Sequence, residues 1–213
     1  MSDSYRAVIF DLGGVVFPSP FDAFDAYDRS RGLEPGTVRG LIRTSSEEGA
    51  WASLERGDIA MPAFVAALEA EAVSAGFMLD ATSLMASIGQ RFGPRPQMAS
   101  AITRIRERGL LTAALTNNWA SENGQLNPNG LRETLPFDVI VESAVEGLRK
   151  PDPRIYELTL QRLGVAASEA IFLDDLGINL KPARDLGITT IKVTDPDAAL
   201  AELSTRLGFE VAR

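Results

Sequence analysis

Five short apolar runs punctuate the chain: AVIF at 7–10, LLTAALT at 110–116, DVIVES at 138–143, AIFLDD at 170–175 and TTIKV at 189–193. Most are near-continuous rather than alternating, which predicts parallel strands covered on both faces. Helical periodicity fills the intervals at 96–108, at 152–163 (DPRIYELTLQRL) and at 178–186 (INLKPARDL). Strand alternating with helix predicts right-handed crossovers and an α/β fold with a doubly wound parallel sheet. One interval breaks the rhythm. Residues 18–92 contain no convincing strand but several helical stretches, among them PAFVAALEAEAVSA at 62–75. An insert of that length is too long for a loop, so a second, helical unit is expected, left near GPRP at 93–96, where the glycine and prolines suit a linker.

Composition narrows the chemistry. With 213 residues, 45% hydrophobic and 23% charged, the chain can bury one good core and a smaller appended one. It contains no cysteine and no histidine, which excludes thiol nucleophiles, disulfides, imidazole metal sites and every triad built on histidine. The formal charge of −8 argues against a nucleic-acid partner, because affinity for phosphate backbones comes from lysine and arginine. The apolar stretches near the amino terminus are far too short to span a bilayer and lack a basic lead, so no membrane association and a cytoplasmic location are expected.

In an open parallel sheet, ligands bind beyond the carboxyl ends of the strands. The first predicted strand ends in Asp11, the second in Thr116-Asn117-Asn118 and the fourth in Asp174-Asp175, while GLRKPDP, with Lys150, follows the third. Taken singly, each could be a helix cap or a solvated loop residue. Four such features at four crevice positions point instead to phosphoryl transfer. Three carboxylates in a small site repel one another, and a hard cation with oxygen ligands, Mg²⁺ above all, relieves that. Asp11 would then act as nucleophile and form an aspartyl-phosphate that water hydrolyses. Thr116 and the backbone N–H of Asn117, near a helix start, would hold phosphate oxygens, and Lys150 would balance the remaining negative charge.

These residues resemble the haloacid dehalogenase superfamily, whose four motifs appear in order as FDLGGVV, LTNN, RKPDP and FLDDLGINLKPARDLGI. The stretches GLRKPDPRIYE and WASLERGDIAMPAF (51–64) look most like the phosphatase-type domains of soluble epoxide hydrolases and of acyl-CoA dehydrogenase fusions. The resemblance implies a Rossmann-like core, residues 1–17 and 93–213, with a helical cap at 18–92. It implies Asp11 as nucleophile and metal ligand, Thr116 and Asn117 as phosphate binders and Lys150 as the charge-balancing lysine. The same resemblance makes Asp175 the direct acidic ligand to Mg²⁺, with Asp174 close by, directly or through water, and Asn179 the support of this acidic loop. Trp51, at helical spacing from Leu54, reads as cap core rather than a substrate contact.

Gly13 departs from the pattern. Most phosphatases of the superfamily carry there a second Asp that protonates the leaving group and activates water, while its backbone carbonyl binds the metal. Gly13 keeps the carbonyl and loses the acid. Acid–base catalysis is worth roughly 10²–10⁴ in rate, so hydrolysis of alkyl phosphates should be slow, whereas acyl, aryl or anomeric phosphates should suffer less. Gly14, and less obviously Gly13, would supply positive φ to a tight turn. Asp22 or Asp25 could reach back as a replacement acid, although both also suit the solvated face of a helix. The leading expectation is a Mg²⁺-dependent phosphatase of a small phosphorylated metabolite. Two others stand beside it: a metal-independent 2-haloacid dehalogenase, and a weakly active regulatory protein that binds a phosphorylated ligand. The sequence names neither the substrate nor an oligomeric state.

Overall fold

A computed structural model describes residues 5–45, 47–89, 93–119 and 135–211. Five strands, β1 (Ala7–Phe10), β2 (Leu111–Thr116), β3 (Val139–Glu142), β4 (Ala170–Asp174) and β5 (Thr189–Lys192), form one sheet in the order β3-β2-β1-β4-β5. Every pairing is parallel. β1 is central, and its four residues are fully buried because both faces are covered. Alternation divides them: Val8 and Phe10 enter one hydrophobic layer, Ala7 and Ile9 the other.

Helices α6 (Pro96–Glu107) and α10 (Pro196–Leu207) cover the first face through Met98, Ile102, Ile105, Leu200 and Leu203. On the second face lie α8 (Pro153–Leu163) and α9 (Gly177–Asp185), through Ile155, Tyr156, Leu180 and Ala183. Fully burying a side chain such as Ile105 or Phe172 is worth about 1.5–3 kcal/mol. Local signals start and stop these helices. Asp152 and Asp195 accept hydrogen bonds from Arg154 N and Ala198 N at the amino ends of α8 and α10, proline occupies the first turn, and Gly164 and Gly208 end them in the left-handed region. Among the described residues, two α-helices lie beyond the sequence expectation, α7 (Ser143–Glu146) and α10 itself.

Between β1 and α6 run α1 (Pro20–Arg31), α2 (Thr37–Thr44), α3 (Ala50–Glu55), α4 (Met61–Ser74) and α5 (Ala81–Gly89). They bury a hydrophobic cluster of their own, around Phe24, Trp51, Leu54, Phe64, Leu68 and Leu84, separate from the two sheet layers. Trp51 makes edge contacts with Phe24 at 5.4 Å and Phe64 at 5.7 Å. The chain leaves the sheet after Val16 and returns at Arg95, and there the two crossings are joined by a hydrogen bond from Arg95 N to Val16 O of 2.8 Å.

Candidate active site

The site lies at the carboxyl ends of β1, β4 and β2, where the strand order changes direction on either side of β1. Asp11 follows the last residue of β1, and its backbone N–H bonds Leu173 O of β4 at 2.9 Å. Register therefore brings Asp11 beside Asp174, the last residue of β4. One carboxylate oxygen from each of Asp11, Asp174 and Asp175 lies within 4.8 Å of the others.

Lys150 is 1% exposed and bridges this cluster, with Nζ 2.8 Å from Asp11 Oδ1 and 2.7 Å from Asp174 Oδ2. Burial alone would lower its pKa, but the two carboxylates outweigh burial and hold it above the ordinary lysine value. One ammonium facing three carboxylates leaves an excess of negative charge. Burial, aided by Asp174 and Asp175 and opposed by Lys150, pushes the Asp11 carboxyl well above its usual range. Burial and Asp174 likewise push Asp175 up to about 6. A hard cation with oxygen ligands fits this donor set, because it would relieve the repulsion that adds to burial in raising both values.

The two acids of β4 are held differently. Asp174 is fully buried, and both its oxygens are engaged: Leu176 N and Asn179 Nδ2 donate to Oδ1, and Lys150 Nζ and Asn179 Nδ2 donate to Oδ2. Asn179 is itself fixed through α9, where its carbonyl accepts from Tyr156 Oη at 2.7 Å. Asp175 is only partly buried and approaches the turn after β1. Gly14 makes that approach feasible, since its φ is +81° and a β-carbon there would stand 2.2 Å from Asp175 Oδ2.

Gly13 is not in the left-handed region, so the turn does not require glycine there. A β-carbon on it would meet Pro20 Cδ at 3.3 Å, closer than ordinary packing. The first residue of α1 thus crowds the place where a side chain at position 13 would begin. Of the replacement acids considered, Asp22 is exposed and Asp25 pairs with Arg39 at 2.9 Å on the surface of α1.

Thr116 ends β2 and is buried. The Asn117 side chain is committed to the lysine loop: its Oδ1 accepts from Lys150 N at 2.9 Å and its Nδ2 donates to Lys150 O at 3.0 Å. That leaves the backbone N–H, rather than the amide side chain, for a ligand. A helix beginning beyond Trp119 would lie outside the described residues. Asn118 N donates to Ser143 Oγ at 2.9 Å, and Asn118 Nδ2 to Glu142 Oε1 at 2.7 Å.

Two residues at the rim escape a reading based on the sequence. Glu55, on α3, accepts from Asn117 Nδ2 at 3.1 Å and from Arg149 Nε at 2.8 Å. Arg149 also pairs with Glu47 at 2.8 Å. The one sequence signal for Arg149 is its place beside Lys150, and Glu55 has none beyond its place in WASLERGD.

A family model of haloacid dehalogenase-like hydrolases matches residues 5–187. The chain is 41% identical over 210 residues to acyl-CoA dehydrogenase family member 10 of Mus musculus, which covers 97% of this chain and 19% of that protein. It is 32% identical to bifunctional epoxide hydrolase 2 of Sus scrofa over 97% of this chain and 39% of that protein, so it spans well under half of these two relatives. It is 31% identical to sesquiterpene phosphatase astK of Aspergillus oryzae, over 98% of this chain and all of that protein. Among solved structures, a family enzyme of Bacteroides thetaiotaomicron in complex with magnesium and inorganic phosphate superposes with a TM-score of 0.61 at 19% identity, covering 88% of this chain and 93% of that one. By its family-model match, its relatives and its fold, the chain belongs to the haloacid dehalogenase-like hydrolases.

Proposed function

We propose that the protein is a Mg²⁺-dependent phosphatase of a small phosphorylated compound, working through an aspartyl-phosphate on Asp11. The observation that carries this reading is the cluster at the ends of β1 and β4, three carboxylates and one buried lysine beside Thr116. Phosphatase-named relatives support it, among them the sesquiterpene phosphatase above and a glyceraldehyde 3-phosphate phosphatase of Methanopyrus kandleri. In this reading residues 1–17 and 93–213 are the catalytic core and 18–92 the cap.

Asp11, the Gly13 carbonyl and Asp175 would hold Mg²⁺ directly, with Asp174 acting through water because its own oxygens are occupied. When bound, the ion supplies positive charge that keeps the carboxylates ionised and offsets the charge of the phosphate. Asp11 Oδ1 takes the contacts to Lys150 and Leu12 N, so Oδ2 is the attacking oxygen. It bonds to phosphorus as the bond to the leaving group breaks. Thr116 Oγ1 and Asn117 N hold phosphate oxygens, and Lys150 stabilises charge on both nucleophile and phosphoryl group. Water then attacks phosphorus, Asp11 departs, and phosphate is released with the water proton passing to solvent. With glycine at position 13 no carboxyl there protonates the leaving group, which favours acyl, aryl or anomeric phosphates over alkyl ones.

Turnover of p-nitrophenyl phosphate and acetyl phosphate with and without Mg²⁺ tests the proposal. Metal-dependent hydrolysis lost in Asp11→Asn is expected. Metal-free release of chloride from 2-haloacids, or tight phosphate binding with no turnover on a broad panel, would overturn it.

A further inference from the structure

Glu55 is 7% exposed, and burying a carboxylate is costly unless its oxygens are paired. Its partners come from three segments. Oε1 accepts from Trp51 Nε1 at 2.9 Å within α3, while Oε2 accepts from Asn117 Nδ2 after β2 and from Arg149 Nε before Lys150. Asn117 in turn clamps the Lys150 peptide from both sides, through its N–H and its carbonyl. Glu55 therefore stands one hydrogen bond from the residue after Thr116 and one from the residue before Lys150.

The backbone around it is closely docked. Gly57, at φ +72°, sits where a β-carbon would lie 2.6 Å from Ala144 O of α7. Ring contact seals the same junction, with Trp51 and Trp119 5.8 Å apart. These are the only two tryptophans in the chain. Apolar packing is non-directional. A buried carboxylate adds directional bonds, and its two bonds outside α3 both go to the residues next to Thr116 and Lys150.

We infer that Glu55 is a positioning residue: from α3 it fixes the Asn117 amide and the Arg149 guanidinium, and through them the register of Thr116 and Lys150, so that the phosphate site is complete only when α3 is docked. The inference rests on the phosphatase reading above.

The test uses the full chain with Mg²⁺ and p-nitrophenyl phosphate, in the variants Glu55→Gln, Asn117→Ala, the double variant and Glu47→Gln. Glu55→Gln should lower kcat per folded molecule about tenfold or more with KM changed less than about threefold. Adding it to Asn117→Ala should cost less than Glu55→Gln costs alone, because the two variants share the Asn117–Glu55 bond while the bond to Arg149 remains to be lost. Glu47→Gln, which touches Arg149 from an exposed position, should stay within about twofold of wild type. If Glu55 serves only the fold, Glu55→Gln lowers the Tm while kcat per folded molecule stands, or its loss multiplies with that of Asn117→Ala; either result overturns the inference. Should Glu55→Gln not fold, Arg149→Met reads the same coupling from the other side, under the same criterion. A wild-type chain that turns over no phosphate ester sinks the phosphatase proposal. Inorganic phosphate titrated with Mg²⁺ and followed by tryptophan emission then decides the inference, with tenfold weaker binding in Glu55→Gln supporting it and equal or absent binding overturning it.

Discussion

Asp175, where it stands, excludes any side chain at Gly14: a β-carbon there would stand 2.2 Å from Asp175 Oδ2 and 2.5 Å from its Cγ. Gly14→Ala must therefore displace the Asp175 carboxylate while also straining a backbone at φ +81° by about 1–2 kcal/mol. Turnover with Mg²⁺ is expected to fall at least about hundredfold, matching Asp175→Asn, while the chain still folds. Metal titration and kcat measured side by side check this; a folded Gly14→Ala variant with wild-type activity would refute it.

Stability without metal should depend on pH in an unusual direction. Asp175 is raised to about 6 and Asp11 is raised as well, both chiefly by burial, whereas in the unfolded chain each sits near ~3.9. Between about pH 4 and 6 the folded chain holds more protons than the unfolded one, so stability declines as pH rises through that window. Carboxylates held low by hydrogen bonds, such as Asp138 and Asp152, act with the opposite sign and only below about pH 4. Thermal melts in EDTA are expected to give a higher Tm at pH 5 than at pH 7.5. Mg²⁺ should raise the Tm more at pH 7.5, and Asp175→Asn should flatten the slope. A metal-free Tm that climbs from pH 5 to 7.5 would contradict the charge balance described for this cluster.

Restoring an acid at position 13 should depend on position 20. Gly13→Asp alone meets Pro20 Cδ, so its gain in turnover of an alkyl phosphate is expected to be small. Gly13→Asp with Pro20→Ala removes the obstruction and should gain about tenfold or more, within the range acid catalysis supplies. Steady-state rates on glycerol phosphate compare the two. A double variant no faster than wild type would mean that the missing acid does not limit the reaction.

Asp28 concerns stability alone. It is fully buried, and its carboxylate accepts from Gly36 N at 2.9 Å and Val38 N at 3.2 Å. It thereby caps the start of α2, where Gly36 has no side chain to do so. Asp28→Ala leaves two N–H groups without that acceptor and should cost about 2–4 kcal/mol, with Asp28→Asn costing less. Denaturant unfolding of both variants measures the difference, and kcat per folded molecule should stay within about twofold.

How legible these parts are in the sequence depends on how far apart their residues lie. Asp11, Thr116 and Asp174 can be read because each ends an apolar run, and the end of a buried parallel strand is where polar groups reach a crevice. Helix α10 has cap residues at both ends, Asp195-Pro196 and Gly208, but its apolar stripe is short, and the expectation built on periodicity passes over it. Helix α7 spans only four residues, too few for any periodicity. The bond between Glu55 and Arg149 joins residues 94 positions apart, and no local pattern encodes such a pairing. Pro20 beside Gly13 is hidden for a different reason: the two are near in sequence, but their contact depends on the angle at which α1 leaves the turn.

The hydrogen bond between Arg95 and Val16 holds the two ends of the helical segment next to each other where they meet the core. Those ends leave the core side by side, and lengthening the chain between them adds only about 0.6 kcal/mol to the closure cost for each doubling. A genetic rearrangement that exchanged everything from residue 18 to residue 94 for a different segment would meet the same two anchor points. Asp11, Lys150 and Asp174 would remain joined to one another, while Asn117 and Arg149 would lose the carboxylate that α3 brings to them.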